Sequence, residues 1–135
     1  MKEHLFKAVL FDLDGTLLDT LEDLANSMNV ILKAHGMNTF PVEDYKEFLG
    51  YGLEGLIRCV IPKAQVNDKL VHEYLADMKV EYGKRWAEKT RPYPGIPELL
   101  DELQRRGLKL VVLSNKMDDY TKIIIKTLLP GWKFN

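Results

Sequence analysis

Leu5-Phe6-Lys7-Ala8-Val9-Leu10-Phe11, running directly into Asp12-Leu13-Asp14-Gly15-Thr16, is the stretch that decides the fold. A short, mostly apolar run that stops abruptly at a polar, glycine-containing turn reads as a buried strand. A second such run spans residues 108–113, Leu-Lys-Leu-Val-Val-Leu, and stops at Ser114-Asn115-Lys116. Between them lies a long segment without strand character. Two apolar strands joined through a helix imply a parallel pair with a right-handed crossover. Open parallel sheets bind ligands beyond the carboxyl ends of their strands. Both polar motifs stand at such ends, so the sequence converges on one location before any chemistry is considered.

The intervening segment is helical in pattern. Leu18, Leu21, Leu24, Ala25, Met28, Ile31 and Leu32 fall at helical spacing, and Gly36 supplies a stop. Residues 41–61 carry two shorter helical patterns separated by Gly50-Tyr51-Gly52, the second ended by Pro62. An amphipathic stretch over 66–86 places Leu70, Val71, Tyr74, Leu75, Met78 and Tyr82 on one stripe, and Trp86 joins these aromatics as helix packing. Arg91-Pro92-Tyr93-Pro94-Gly95 is a rigid turn and a candidate hinge. The helix after it has Pro97 in its first turn, Ile96, Leu99, Leu100 and Leu103 as its stripe, and Arg105 and Arg106 before Gly107. A last helix is expected from Asp118, turning Tyr120, Ile123, Ile124 and Leu128 inward.

Composition excludes several classes of function. The 135 residues are 46% hydrophobic and 29% charged, the balance of one globular domain. Nineteen Lys and Arg against 20 Asp and Glu provide no field for nucleic acid or an anionic membrane, so an anionic substrate must be held locally. Residues 1–7 are too charged for a secretory signal, and the apolar run that follows is far too short to span a bilayer. Cys59 has no partner for a disulfide, which points to a reducing compartment and a cytoplasmic protein; its place on an apolar helical stripe predicts a core position. His4, His35 and His72 show no ligand spacing.

Two carboxylates two residues apart after a buried strand repel each other, and partial desolvation adds to the cost of ionising both. Mg2+ relieves that conflict, since this hard cation favours one or two carboxylates completed by substrate phosphate. One carboxylate can then attack phosphorus to form an aspartyl-phosphate, and the other can protonate the leaving oxygen and later activate water. The structural alternative is a polar turn with a helix cap. A calcium loop is excluded, because it needs its glycine at the sixth position and Gly15 is fourth from Asp12. Ser114 and Asn115 offer a hydroxyl and amide donors to a phosphate lying across both strand ends, or else form an ordinary strand-to-helix turn. Lys116 reads either as a cation reaching that phosphate or as a solvated loop lysine.

Asp12-Leu13-Asp14-Gly15-Thr16-Leu17-Leu18-Asp19-Thr20 resembles the first motif of the haloacid dehalogenase superfamily, in its phosphoglycolate-phosphatase-like branch. Pro92-Tyr93-Pro94-Gly95, with Glu98-Leu99-Leu100 and the strand into Asn115, is similar to the approach to that family's second motif. The resemblance implies an α/β fold, with a Rossmann-like parallel-sheet core formed by residues 1–17 and 91–135 and an inserted α-helical cap over 18–90. It implies Asp12 as nucleophile and Mg2+ ligand. Asp14 would be the acid/base and bind the metal through its main-chain carbonyl, while Ser114 and Asn115 would hold the phosphoryl group. The Gly50-Tyr51-Gly52 loop lies where relatives contact substrate. The partner implied is a small phosphorylated metabolite, with phosphoglycolate the best single guess. Asp14 argues against dehalogenase chemistry, and Thr16 against the sugar-phosphate mutases, which remain the alternative enzyme; a non-catalytic fragment is the alternative outside enzymes. The family's third-motif Lys and fourth-motif acidic pair have no counterpart after Leu129, and the match stops where another strand should begin. Residues 1–135 alone are therefore expected to hydrolyse phosphomonoesters slowly or not at all.

Overall fold

The computed structural model describes residues 5–135. In chain order the elements are β1 (Ala8–Phe11), β2 (Leu18–Asp19), α1 (Leu21–Ala34), a 3-10 turn (Val42–Lys46), α2 (Gly52–Val60), α3 (Asp68–Arg85), β3 (Arg91–Pro92), α4 (Ile96–Arg105), β4 (Lys109–Val112) and α5 (Asp118–Leu128). The chain divides into two compact units. One is formed by the chain up to Asp19 together with Arg91–Asn135, the other by Thr20–Thr90.

In the first unit, β1 and β4 pair in parallel, with Ala8 opposite Lys109 and Phe11 opposite Val112. The parallel pair is the one the two apolar runs predicted. Its strands are shorter than those runs, and burial is uneven: Leu110 is buried, whereas Leu5, Phe6, Leu10 and Leu113 are exposed. Leu99 of α4 and Ile123 of α5 are likewise exposed, against the inward positions expected for them, while Leu100 and Ile124 are fully buried. The physical reason is width. Parallel strands need both faces and both edges covered, and a two-stranded pair offers too little apolar surface to bury the whole stripe of its helices. Phe134 makes an isolated parallel bridge to Leu110, and Asn135 N–H donates to the Leu110 carbonyl at 2.8 Å, on the side of β4 away from β1.

Leu18 and Asp19 were expected to open the helical segment. They instead form β2, antiparallel to β3, with Leu18 opposite Pro92 and Asp19 opposite Arg91. A proline is tolerated there because a two-residue pairing has few ladder bonds to lose.

The second unit is helical. Helix α1 buries Leu24, Ala25, Met28, Ile31 and Leu32; α2 buries Leu56, Ile57 and Val60; α3 buries Val71, Tyr74, Met78 and Tyr82. Each Leu, Ile, Val or Met among these is worth about 1.5–3 kcal/mol when taken from water. Asn67 caps α3 by accepting from Leu70 N–H at 2.9 Å. Cys59 is exposed, not in the core, because the buried face of α2 runs through Leu56, Ile57 and Val60 and leaves position 59 outside it.

Two polar clusters hold this unit together. Asn29 donates to the Phe40 carbonyl and accepts from Phe40 N–H, at 2.8 and 3.0 Å, and its Oδ1 also accepts from the Tyr45 hydroxyl at 2.6 Å. Asp23, wholly buried, accepts from Lys89 N–H, Thr90 N–H and the Thr90 hydroxyl, the last two at 2.9 and 2.8 Å. It thereby ties the first turn of α1 to the last residues of the unit. By contrast the Tyr74 hydroxyl is buried with no hydrogen-bond partner. Removing a paired buried acceptor strands its donors, whereas removing an unpaired hydroxyl relieves a penalty. Asp23→Ala should therefore destabilise the protein by about 2–4 kcal/mol, and Tyr74→Phe should be neutral or stabilise by up to about 1 kcal/mol. Urea denaturation of both variants checks this, and a near-neutral Asp23→Ala would contradict the tie.

Candidate active site

The in-register parallel pairing ends β1 and β4 side by side, and Leu113 N–H donates to the Phe11 carbonyl at 2.8 Å just past the last paired residues. Asp12 follows one strand and Ser114 the other, so the two polar motifs leave adjacent strand ends within one compact unit.

The conformation after β1 follows from the alternation of Asp-Leu-Asp. Leu13 is fully buried, whereas Asp12 is exposed and Asp14 partly so. Burial of the central leucine leaves its two neighbours on the open side. The Leu13 carbonyl accepts from Thr16, Leu17 and Leu18 N–H at 3.3, 3.1 and 3.1 Å, and Gly15 N–H donates to the Leu18 carbonyl at 2.9 Å. Leu17 and Leu18 are fully buried and anchor the far side of the loop. Tyr93 N–H donates to the Leu17 carbonyl at 3.2 Å, so the Arg91 to Gly95 turn braces the loop as well. Gly15 has φ +78°, a conformation that costs other residues. The Asp12 carboxylate accepts from Leu13 N–H at 2.9 Å.

The turn after β4 is built on Ser114. Its Oγ accepts from Lys116 N–H at 3.1 Å, which leaves the hydroxyl hydrogen to donate elsewhere. Asn115 is exposed beside it. Helix α5 opens with Asp118 and Asp119 in its first turn, and these suit the helix dipole themselves while disfavouring a further anion there.

Lys116 is not the solvated loop lysine that the sequence allowed: its side chain is 4% exposed, and its Nζ lies 3.2 Å from Asp14 Oδ1. Burial pushes its ammonium below the ordinary lysine range, and the neighbouring Asp14 carboxylate partly opposes that shift. No periodicity signals such a contact, because it joins two loops about a hundred residues apart in sequence. The structure thus brings Asp12, Asp14, Ser114, Asn115 and Lys116 to one end of the parallel pair. His35 pairs with Asp77 at 3.0 Å in the helical unit, His72 is exposed there, and His4 lies outside the described residues. Among the described residues no helix is long and apolar enough to cross a membrane, and no group of three or more His, Cys, Asp or Glu forms a metal cluster.

Residues 9–130 match the haloacid dehalogenase-like hydrolase family, and the chain belongs to it. It is 34% identical to the phosphoglycolate phosphatase of Aquifex aeolicus over 127 residues, which is 93% of this chain and 57% of that protein. It is 33% identical to the phosphoglycolate phosphatase of Nitrosospira multiformis over 123 residues, 89% of this chain and 54% of that protein. A crystal structure from Lactobacillus delbrueckii subsp. bulgaricus, provisionally designated a phosphoglycolate phosphatase, superposes with a TM-score of 0.88 at 33% identity, over 96% of this chain and 63% of that one. The fold is accordingly the α/β, Rossmann-like fold of this family. The chain spans about half the length of the curated relatives it matches.

The loop geometry can be tested on its own. A Cβ at Gly15 would meet no atom within 4 Å, so Gly15→Ala carries no clash, only the cost of its positive φ. That cost is about 1–2 kcal/mol of stability. Equilibrium unfolding measures it, and an unchanged midpoint would show that the turn relaxes freely.

Proposed function

We propose that this chain is part of a Mg2+-dependent phosphatase acting on a small phosphomonoester, with 2-phosphoglycolate the leading candidate, through an aspartyl-phosphate on Asp12. The observation that carries this reading is the meeting of Asp12, Asp14 and Ser114 at the carboxyl ends of a parallel pair. The names of the relatives supply the substrate.

The donor chemistry supports Mg2+. Asp12 presents an exposed carboxylate, Asp14 adds a second hard-oxygen residue, and Mg2+ ordinarily takes one or two protein carboxylates while leaving its other positions to phosphate and water. When bound, the cation neutralises phosphoryl charge and lowers the cost of bringing a carboxylate to phosphorus.

In the first half-reaction a carboxylate oxygen of Asp12 attacks phosphorus, and the bond from phosphorus to the substrate's ester oxygen breaks. Asp14 gives its proton to that oxygen, so the product leaves as an alcohol. In the second, water attacks the phosphorus of the aspartyl-phosphate while Asp14 takes its proton, releasing inorganic phosphate and restoring Asp12. Ser114 donates its hydroxyl hydrogen to a phosphoryl oxygen, and Asn115 offers its amide beside it. Thr20–Thr90 is proposed as the cap, whose role is to exclude water during the reaction. The lone cysteine and the nature of the substrate favour a cytoplasmic setting.

The test compares residues 1–135 with a version extended to the length of the relatives, each assayed on 2-phosphoglycolate with Mg2+ and with chelator. The extended protein is expected to turn over in a chelator-sensitive way and the shorter one slowly or not at all. Asp12→Asn in the extended protein should abolish turnover with the fold intact. Wild-type turnover by that variant, with deamidation excluded, would overturn the mechanism. An inactive extended protein would favour a non-catalytic role.

A further inference from the structure

Among the described residues, the contact between Lys116 and Asp14 has the most buried cation of the ion pairs. Pairs such as Lys46 with Glu43 or Arg105 with Glu102 join neighbours on one element at the surface, where solvent screens them. Lys116 is 4% exposed and Asp14 19%, and the pair bridges the loop after β1 to the loop after β4. Burying a lysine costs the rotamer freedom of a long side chain and the hydration of its ammonium. Part of that cost is met against the carboxylate to which the mechanism gives the proton transfers. The backbone of Lys116 is pinned too, through its N–H to Ser114 Oγ at 3.1 Å. The lysine is therefore held at both ends: its main chain by the Ser114 hydroxyl, to which the mechanism gives a phosphoryl oxygen, and its ammonium by Asp14.

We propose that Lys116 is a positioning residue for Asp14, fixing the acid/base carboxylate relative to the end of β4, and is not a clamp on the phosphoryl group. This inference rests on the phosphatase reading above. A proton donor must be held within hydrogen-bond reach of the leaving oxygen, and displacements near 1 Å can cost about 100-fold in rate. A carboxylate on a loop has rotamer freedom that a buried ammonium at 3.2 Å removes. A phosphoryl clamp would instead direct its Nζ to the substrate's oxygens. It would serve every substrate alike, because all phosphomonoesters present the same phosphoryl group.

That difference defines the experiment, carried out on the extended protein with two probe substrates. Phosphoglycolate leaves as a basic alkoxide and needs a proton. p-Nitrophenyl phosphate leaves as a weakly basic phenolate and does not. The value of kcat/KM reports the first half-reaction for both. Asp14→Asn serves as the reference, and it should lose far more activity on phosphoglycolate than on p-nitrophenyl phosphate. Lys116→Met is expected to reproduce that asymmetry, losing about 10- to 100-fold on phosphoglycolate, as removal of an orienting partner typically does. Its loss on p-nitrophenyl phosphate should stay within about threefold, and inhibition by inorganic phosphate should be unchanged, since phosphate does not require Asp14 as an acid. The double variant should be no worse than Asp14→Asn alone, because a residue acting through another adds nothing once that other is gone. Lys116→Gln is measured alongside, with circular dichroism, so that the comparison stands if the Met variant does not fold.

Equal losses on both substrates together with weaker phosphate inhibition would make Lys116 a phosphoryl clamp and overturn the proposal. Wild-type kinetics in both Lys116 variants would also overturn it. If Asp14→Asn itself shows no leaving-group asymmetry, the acid/base assignment fails first. That failure is read in the reference variant, independently of Lys116.

Discussion

The site depends on the in-register pairing of β1 with β4. Because the strands are parallel and aligned residue for residue from Ala8 with Lys109 to Phe11 with Val112, they end at the same level. The chain leaves both ends as loops whose polar groups have no ladder left to join. A register slip of one residue would turn Leu13 out of the core and bring Asp12 and Asp14 toward it. The full burial of Leu13, Leu17 and Leu18 makes that slip costly. The position of the carboxylates is thus enforced by leucines that take no part in chemistry.

Both compact units use buried charge, for different ends. In the helical unit, Asp23 is saturated by backbone and hydroxyl donors from Lys89 and Thr90, an arrangement that uses up its acceptor capacity and leaves nothing for a ligand. At the strand ends, Asp14 meets the Lys116 ammonium through Oδ1 while remaining partly exposed. A wholly buried carboxylate closed in by donors is structural, whereas Asp14 is oriented by a cation and still open to solvent.

Among the apolar side chains left in water, Leu10, Leu99, Leu113 and Ile123 belong to the first unit, whereas Val30, Tyr51 and Val80 belong to the helical one. Those of the first unit lie on a two-stranded parallel pair and its helices, too narrow an assembly to cover its own apolar surface. The bridge from Phe134 to Leu110 extends the pair on the β4 side alone among the described residues. The relatives are roughly twice as long as the matched region, and the activity proposed above is accordingly that of a protein of their length.

Local sequence was enough to place the candidate residues. The apolar runs, the abrupt polar turn and the helical stripes are patterns of nearest neighbours, and they put Asp12, Asp14, Ser114 and Asn115 just past strand ends, where the structure has them. They also placed α1, α3 and α5 to within a few residues. They failed wherever the answer depended on what covers a residue. Cys59, Leu99 and Ile123 lie on apolar stripes yet are exposed, because periodicity gives the direction of a side chain and not the extent of the partner it faces. Leu18 and Asp19 read as the start of a helix because their partners, Pro92 and Arg91, lie more than seventy residues away. An acidic residue at position 23, beside Leu24 and Ala25 and four before the buried Ser27, was the one local hint of the tie to Thr90. Nothing local marked Lys116 as the partner of Asp14. Contacts between distant segments are decided by the closure of the chain, whose free energy is shared over the whole core and written in no single stretch of it.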